Sequence, residues 1–209
     1  MAQVFHIHPQ NPQIRLLRQA VQRVAAGGVL VYPTDACYVL GCAMGEKSAL
    51  ERIRQIRRLE SRHYFTLACQ NLAQISNYAR IDNASYRLIK MLTPGPYTFI
   101  LPATRRVPKR LLHPKRKTVG IRVPDAKVTQ ALLAEFGEPL FSTTAQLPDD
   151  DWVLSEPDDI VARLGARVDV ILLAGAGAIT PTTVLDLTVD PPEVVRQGLG
   201  EVQNLGLGD

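Results

Sequence analysis

Several absences narrow the field. No apolar run approaches the roughly 18 residues of a membrane-spanning helix. The opening stretch "MAQVFHIHPQNPQ" has neither the basic nor the apolar segment of a secretion signal. The expectation is a cytoplasmic protein that makes no use of a membrane. Cysteine is scarce: Cys37, Cys42 and Cys69 are three and cannot all pair, so a disulfide scaffold is excluded and buried thiols are expected. No Cys-x2-Cys occurs, and the one histidine pair, His6 and His8, has no further ligands at suitable spacing, so no metal site is expected. Aromatic residues make up only 6% of the chain, and the densest basic stretch, "RRVPKRLLHPKRK", contains none. Stacking on single-stranded bases is therefore not favoured there, and recognition of duplex shape fits better. A Walker loop is missing too, and "AGAGAIT" has the wrong frame for G-x-G-x-x-G.

One sign of charge is also missing over a long interval. From Asn83 to Pro124 there is no acidic residue, against 10 Lys and Arg. Residues 1–124 hold 20 Lys/Arg and 5 Asp/Glu, a balance of +15, whereas residues 125–209 hold 4 and 15, a balance of −11. The overall charge is only +4. Such a distribution gives either a solvated basic surface compensated on folding or a face that binds phosphate, in nucleotide or nucleic acid.

With 209 residues and 46% apolar composition, the chain is expected to form one domain, 1–209, with a sizeable core. Strands are expected at Gln3–His8, Val29–Tyr32, Tyr64–Cys69, Tyr97–Pro102, Thr118–Val123, Pro139–Thr144, Val168–Leu173 and about 183–188 and 193–197. Helices fall between them. One is expected after Asn11 as N-cap with Pro12 at its first position, others over "KSALERIRQIRR", 71–79, 83–92 and "KVTQALLAEFG". Another is expected to open on a capping box of Ser155 and Asp158. Alternating strands and helices argue for an α/β fold on one sheet, and hairpin-like neighbours near both ends make that sheet mixed.

Polar groups collect where these strands end. "VYPTD" turns from apolar to polar, "GIRVP" places Arg122 in a strand, and "LFSTTAQLP" runs from strand into hydroxyls and an amide. "ITPTTVLD" brings hydroxyls into a strand and "VVRQG" leaves one with Arg196. Ligands of open α/β sheets bind at strand ends, and guanidinium groups among hydroxyls suit phosphate and carboxylate oxygens.

Taken in order, "GGVLVYPTDACYVLG", "LTPGPYTFIL", "RKTVGIRVP", "LFSTTAQ", "PTTVLD" and "VVRQG" resemble the YrdC/YciO family, and the whole pattern is most similar to its YciO branch. Better-known members make threonylcarbamoyl-AMP for modification of adenosine 37 of tRNA. The resemblance implies a twisted mixed sheet of about seven strands with flanking helices and a concave positive face that binds nucleotide and double-stranded RNA. Thr34 would face a ligand at its mouth, while for Asp35 a turn-capping role stays open beside a ligand-facing one.

The same resemblance implies a site. Arg57, Thr144, Gln146 and Arg196 would bind nucleotide; Thr34, Arg122 and Thr182 would bind substrate; Arg57 and Arg122 would be catalytic. Arg105, Arg106, Lys109, Arg110, Lys115, Arg116 and Lys117 would meet double-stranded RNA or tRNA. If the synthase chemistry is present, ATP and Mg²⁺ enter it: threonine's amine captures bicarbonate and the carbamate attacks the α-phosphate. Departures from the synthase pattern are visible as well. Arg57 falls on the lysine and Leu59 on the arginine of its Lys-x-Arg motif, with Arg58 and Arg62 nearby. Thr144-Ala145-Gln146 replaces Ser-x-Asn, and Cys69 falls near a threonine-holding histidine.

Overall fold

The computed structural model describes residues 1–59, 65–113 and 115–203. Its elements run β1 (Gln3–His6), α1 (Ile14–Ala25), β2 (Leu30–Tyr32), β3 (Val39–Ala43), α2 (Lys47–Arg57), β4 (Thr66–Ala68), α3 (Leu72–Tyr78) and α4 (Asn83–Leu92). They continue with β5 (Tyr97–Pro102), a 3-10 turn (Lys109–Leu111), β6 (Thr118–Arg122), α5 (Lys127–Phe136), β7 (Leu140–Thr144) and α6 (Pro157–Leu164). The chain finishes on β8 (Val170–Leu173), β9 (Thr183–Asp186) and β10 (Glu193–Arg196). The strands form one sheet in the order β1-β8-β2-β3-β7-β4-β6-β5-β9-β10.

The sheet is mixed, as the alternation implies, but it has ten strands among the described residues rather than about seven. Nine of the ten fall on segments read as strands from the sequence, and β3 is the addition; at the margins β1 pairs parallel with β8, β9 adds parallel to β5, and β10 folds back antiparallel on β9. Two helix starts also differ from expectation. The first helix begins at Ile14 because residues 8–13 form a turn of their own. Nδ1 of His8 accepts from the amides of Gln10 and Asn11, and Gln13 Oε1 accepts from the amide of His8. The Ser155 capping box does not form; Pro157, with its preset φ, opens α6 after Glu156 instead. Tyr64, the expected start of a strand, lies outside the described residues, and β4 starts at Thr66.

Alternation along the strands divides the side chains between two faces. Phe141, Leu67, Ile121, Phe99 and Leu185 point to one face and join Ile53, Ile56, Ile75 and Ile89 of α2, α3 and α4 in the larger core. On the other face, Leu30, Tyr32, Val170 and Leu172 meet Leu17, Ala20 and Val24 of α1 and Val128, Leu132 and Leu133 of α5 in a second core. The helices α1 and α5 pack together over the β1-β8-β2-β3 end. That core reaches Leu140 of β7 and Ala68 of β4, and the cavity described below lies on the same face, farther along β7, β4, β6, β5, β9 and β10.

Candidate functional site

A single row of paired residues crosses this open face: Ser142 of β7 lies opposite Thr66 of β4, Thr66 opposite Gly120 of β6, Gly120 opposite Ile100 of β5, and Ile100 opposite Asp186 of β9. All five line a cavity of about 570 Å³. Glycine interrupts the middle strand where space is short: a Cβ at Gly120 would stand 3.2 Å from both the Phe65 carbonyl and the Thr66 hydroxyl. Around the row stand Thr98, Thr143, Thr144 and Thr182, apolar Val39, Val153 and Val184, and four guanidinium groups, Arg57, Arg116, Arg122 and Arg196. Asp186 is the one carboxylate among the described lining residues.

Each guanidinium is held differently. Arg57, at the C-terminal end of α2, donates from Nε to the Gln146 carbonyl (2.8 Å) and from Nη1 to the Thr143 hydroxyl (2.7 Å). It thus ties α2 to the loop after β7. Gln146 Nε2 donates to the Asp150 carbonyl (2.8 Å), which turns the amide along that same loop. Arg196 of β10 donates twice to the Thr182 carbonyl, at 3.1 and 2.9 Å, and once to the Thr182 hydroxyl, at 3.3 Å; that hydroxyl also pairs with Thr98 at 2.9 Å. Burial lowers the pKa of both Arg57 and Arg196 from its ordinary value, but a guanidinium starts so high that both stay charged.

Arg122 is the most enclosed of the four. It is 5% exposed and donates from Nη2 to Asp35 Oδ1, on a carboxylate 10% exposed. The bond leaves Arg122 Nε and Asp35 Oδ2 buried without a partner. Asp35 therefore serves Arg122 and is itself off the cavity lining. Thr34 acts locally instead. Its hydroxyl donates to the Cys37 carbonyl (2.6 Å) and accepts from the amides of Ala36 and Cys37 (3.2 Å each), closing the turn after β2. It is not among the lining residues; Cys37 is. The Cys37 thiol is pushed up by burial against the pull of Arg122, and burial raises Cys42 and Cys69 to about 12. All three thiols are free and buried.

Of the residues read from the sequence as nucleotide or substrate ligands, Arg57, Arg122, Thr144, Gln146, Thr182 and Arg196 come together in one cavity. The basic segment between β5 and β6 does not act as a unit. Arg105, Arg106, Lys109, Arg110, Lys115, Arg116 and Lys117 are all exposed, but Val107 and Leu111 sink into the core on the opposite face of the sheet. Arg110 caps the Gly45 carbonyl at 2.5 Å. Arg116 alone of the set reaches the cavity wall, where it meets Asp186 at 2.8 Å. Arg58 leaves the cavity to pair with exposed Asp149 (3.0 Å), Cys69 is buried off its lining, and Arg62 lies outside the described residues. Sequence reasoning missed Ser142, Gly120 and Thr98. Strand alternation from Thr144 and Arg122 points to the first two.

A helix-backed sheet whose open face gathers four arginines among hydroxyls defines an α/β protein with a cationic cavity. Residues 22–198 match the Sua5/YciO/YrdC family, described under "Telomere recombination", and the chain belongs to that family. It is 52% identical to protein YciO of Escherichia coli K12 over 203 residues, 97% of this chain and 98% of that one. The crystal structure of E. coli YciO superposes with a TM-score of 0.94 over the same shares. The chain is 30% identical to threonylcarbamoyl-AMP synthase of Vibrio vulnificus over 186 residues, 87% of this chain and 98% of that one. The fold is also shared with P. abyssi Sua5 complexed with L-threonine, at a TM-score of 0.87 and 21% identity, over 94% of this chain and 58% of that one.

Proposed function

We propose that the chain binds a nucleotide in the cavity, with the phosphates toward Arg57, Arg122 and Arg196. The observation that carries this reading is the charge balance at the wall: four guanidiniums against two carboxylates, Asp186 on the lining and Asp35 paired with Arg122, in about 570 Å³, a volume in the range of small-molecule sites. Charge-assisted, forked donors favour phosphate oxygens, and Val39, Val153 and Val184 supply the apolar surface on which a base can lie. Calorimetric titration tests it: ATP binds and adenosine binds at least about 100-fold more weakly, as loss of the phosphate contacts requires. Equal affinity for the two, or no binding of ATP, contradicts it.

The 30% identity to a threonylcarbamoyl-AMP synthase supports a second reading, adenylation of a threonine-derived carbamate, with Mg²⁺ arriving on ATP. Catalysis would then rest on positioning and on neutralising phosphate charge with Arg57, Arg122 and Arg196. Pyrophosphate release that requires both threonine and bicarbonate supports it; ATP binding without release removes it. Double-stranded RNA is the proposed partner of the exposed basic residues Arg105, Arg106, Lys109, Lys115 and Lys117. Such a contact loses affinity steeply as salt rises, and a flat salt dependence contradicts it. A cytoplasmic setting accords with all three activities.

A further inference from the structure

We propose that Asp186 is a positioning residue: it holds Arg116 over the cavity as a fourth anion-binding guanidinium, beside the three named above. The inference rests on the nucleotide-binding reading and extends it to a residue outside that set. Asp186 is 3% exposed, whereas the Arg116 side chain is 53% exposed and comes from the turn that precedes β6. An exposed arginine on a turn samples many rotamers, and holding it in one costs side-chain entropy. Here the carboxylate meets that cost. Asp186 Oδ2 accepts from Arg116 Nη1 at 2.8 Å, while Oδ1 accepts from the amide of Thr188 at 2.9 Å and from its hydroxyl at 2.6 Å.

Both oxygens are thus engaged and the carboxylate cannot turn away. The turn is shaped from its other side by His113, whose Nδ1 accepts from the amides of Lys115 (3.3 Å) and Arg116 (2.9 Å). A guanidinium has five N–H donors, so the bond to Asp186 leaves most of them for an oxyanion in the cavity that both residues line.

Simple Coulomb reasoning predicts the opposite sign for the key variant. If Asp186 only repelled anions, Asp186→Asn would tighten their binding. As a positioning residue, it predicts that Asp186→Asn weakens the binding of inorganic tripolyphosphate by about tenfold or more, the scale of a lost charge-assisted contact. Arg116→Ala, at an exposed side chain, produces the same loss, and the double variant is no weaker than Arg116→Ala alone. A ligand-free measurement runs beside it: trypsin cleaves after Lys115, Arg116 and Lys117 faster in Asp186→Asn than in the parent protein. Unchanged or tighter tripolyphosphate binding in Asp186→Asn, no loss in Arg116→Ala, or unchanged cleavage of the turn overturns the proposal. Failure of the parent protein to bind tripolyphosphate overturns the nucleotide reading itself, and this proposal with it.

Discussion

Replacing Asp35 with alanine lowers the melting temperature by roughly 6–20 °C. The carboxylate is 10% exposed and its partner Arg122 is 5% exposed. Removing one member of a buried ion pair leaves the other charge without compensation, at about 3–5 kcal/mol. For a chain of this size each kcal/mol is worth roughly 2–4 °C. Arg122 Nε already lacks a partner, so no spare acceptor takes over within the wall. The pair itself contributes little net stability, because two desolvated charges offset their attraction. Asp35→Ala combined with Arg122→Met is therefore expected to recover much of the lost stability while abolishing ATP binding. Thermal scans of the single and double variants check this, and a single variant as stable as the parent protein contradicts it.

The pair also answers why a carboxylate follows Pro33 and Thr34 between two apolar strands. "YPTD" announces that something polar is presented, but a sequence cannot say to whom. Arg122 is 87 positions away, and only the sheet order brings the end of β6 near the turn after β2. The same limit applies to Thr34. Its side chain is the right type for a ligand contact, but a hydroxyl two residues before a free backbone amide is equally suited to a local turn, and the turn takes it. Arg116 is hard to place from sequence for a related reason. Seven basic residues close together in sequence read as one patch, yet Val107 and Leu111 between them are buried in the core on the far face, and the segment is split around the sheet.

Legibility is greatest where a local rule decides. Period-two alternation and glycine stops locate most elements, including the end of α5, where Gly137 takes the left-handed conformation at φ 78°. Arg122, Thr144, Thr182 and Arg196 lie at or beside strand ends, and that position carries them into the cavity. The strand missing from the sequence reading is β3, because Val39–Ala43 is buried at almost every position and shows no period-two alternation; β1, β9 and β10, though only four residues long, are placed.

The second large effect is expected at Arg57. Arg57→Ala weakens ATP binding by about 100-fold or more. The substitution deletes a cavity charge and also the two bonds that fix the Gln146 carbonyl and Thr143 hydroxyl. Hydrogen bonds to charged groups are worth about 1.5–3 kcal/mol each, and about 2.7 kcal/mol corresponds to about 100-fold. Lysine at this position restores the charge but cannot reach two acceptors with a planar fork, so Arg57→Lys is expected to recover less than about tenfold. Calorimetric titration of the three proteins checks this. An Arg57→Lys variant that binds ATP like the parent protein would show that charge alone matters there.

Whether the open face of the sheet is a nucleotide site is tested most directly by a crystal structure of the protein grown with ATP. The phosphates are expected within hydrogen-bond distance of the guanidiniums of Arg57, Arg122 and Arg196, inside the cavity floored by Gly120 and Thr66. ATP bound elsewhere, or a cavity that admits no nucleotide at saturating ATP, would contradict the nucleotide site.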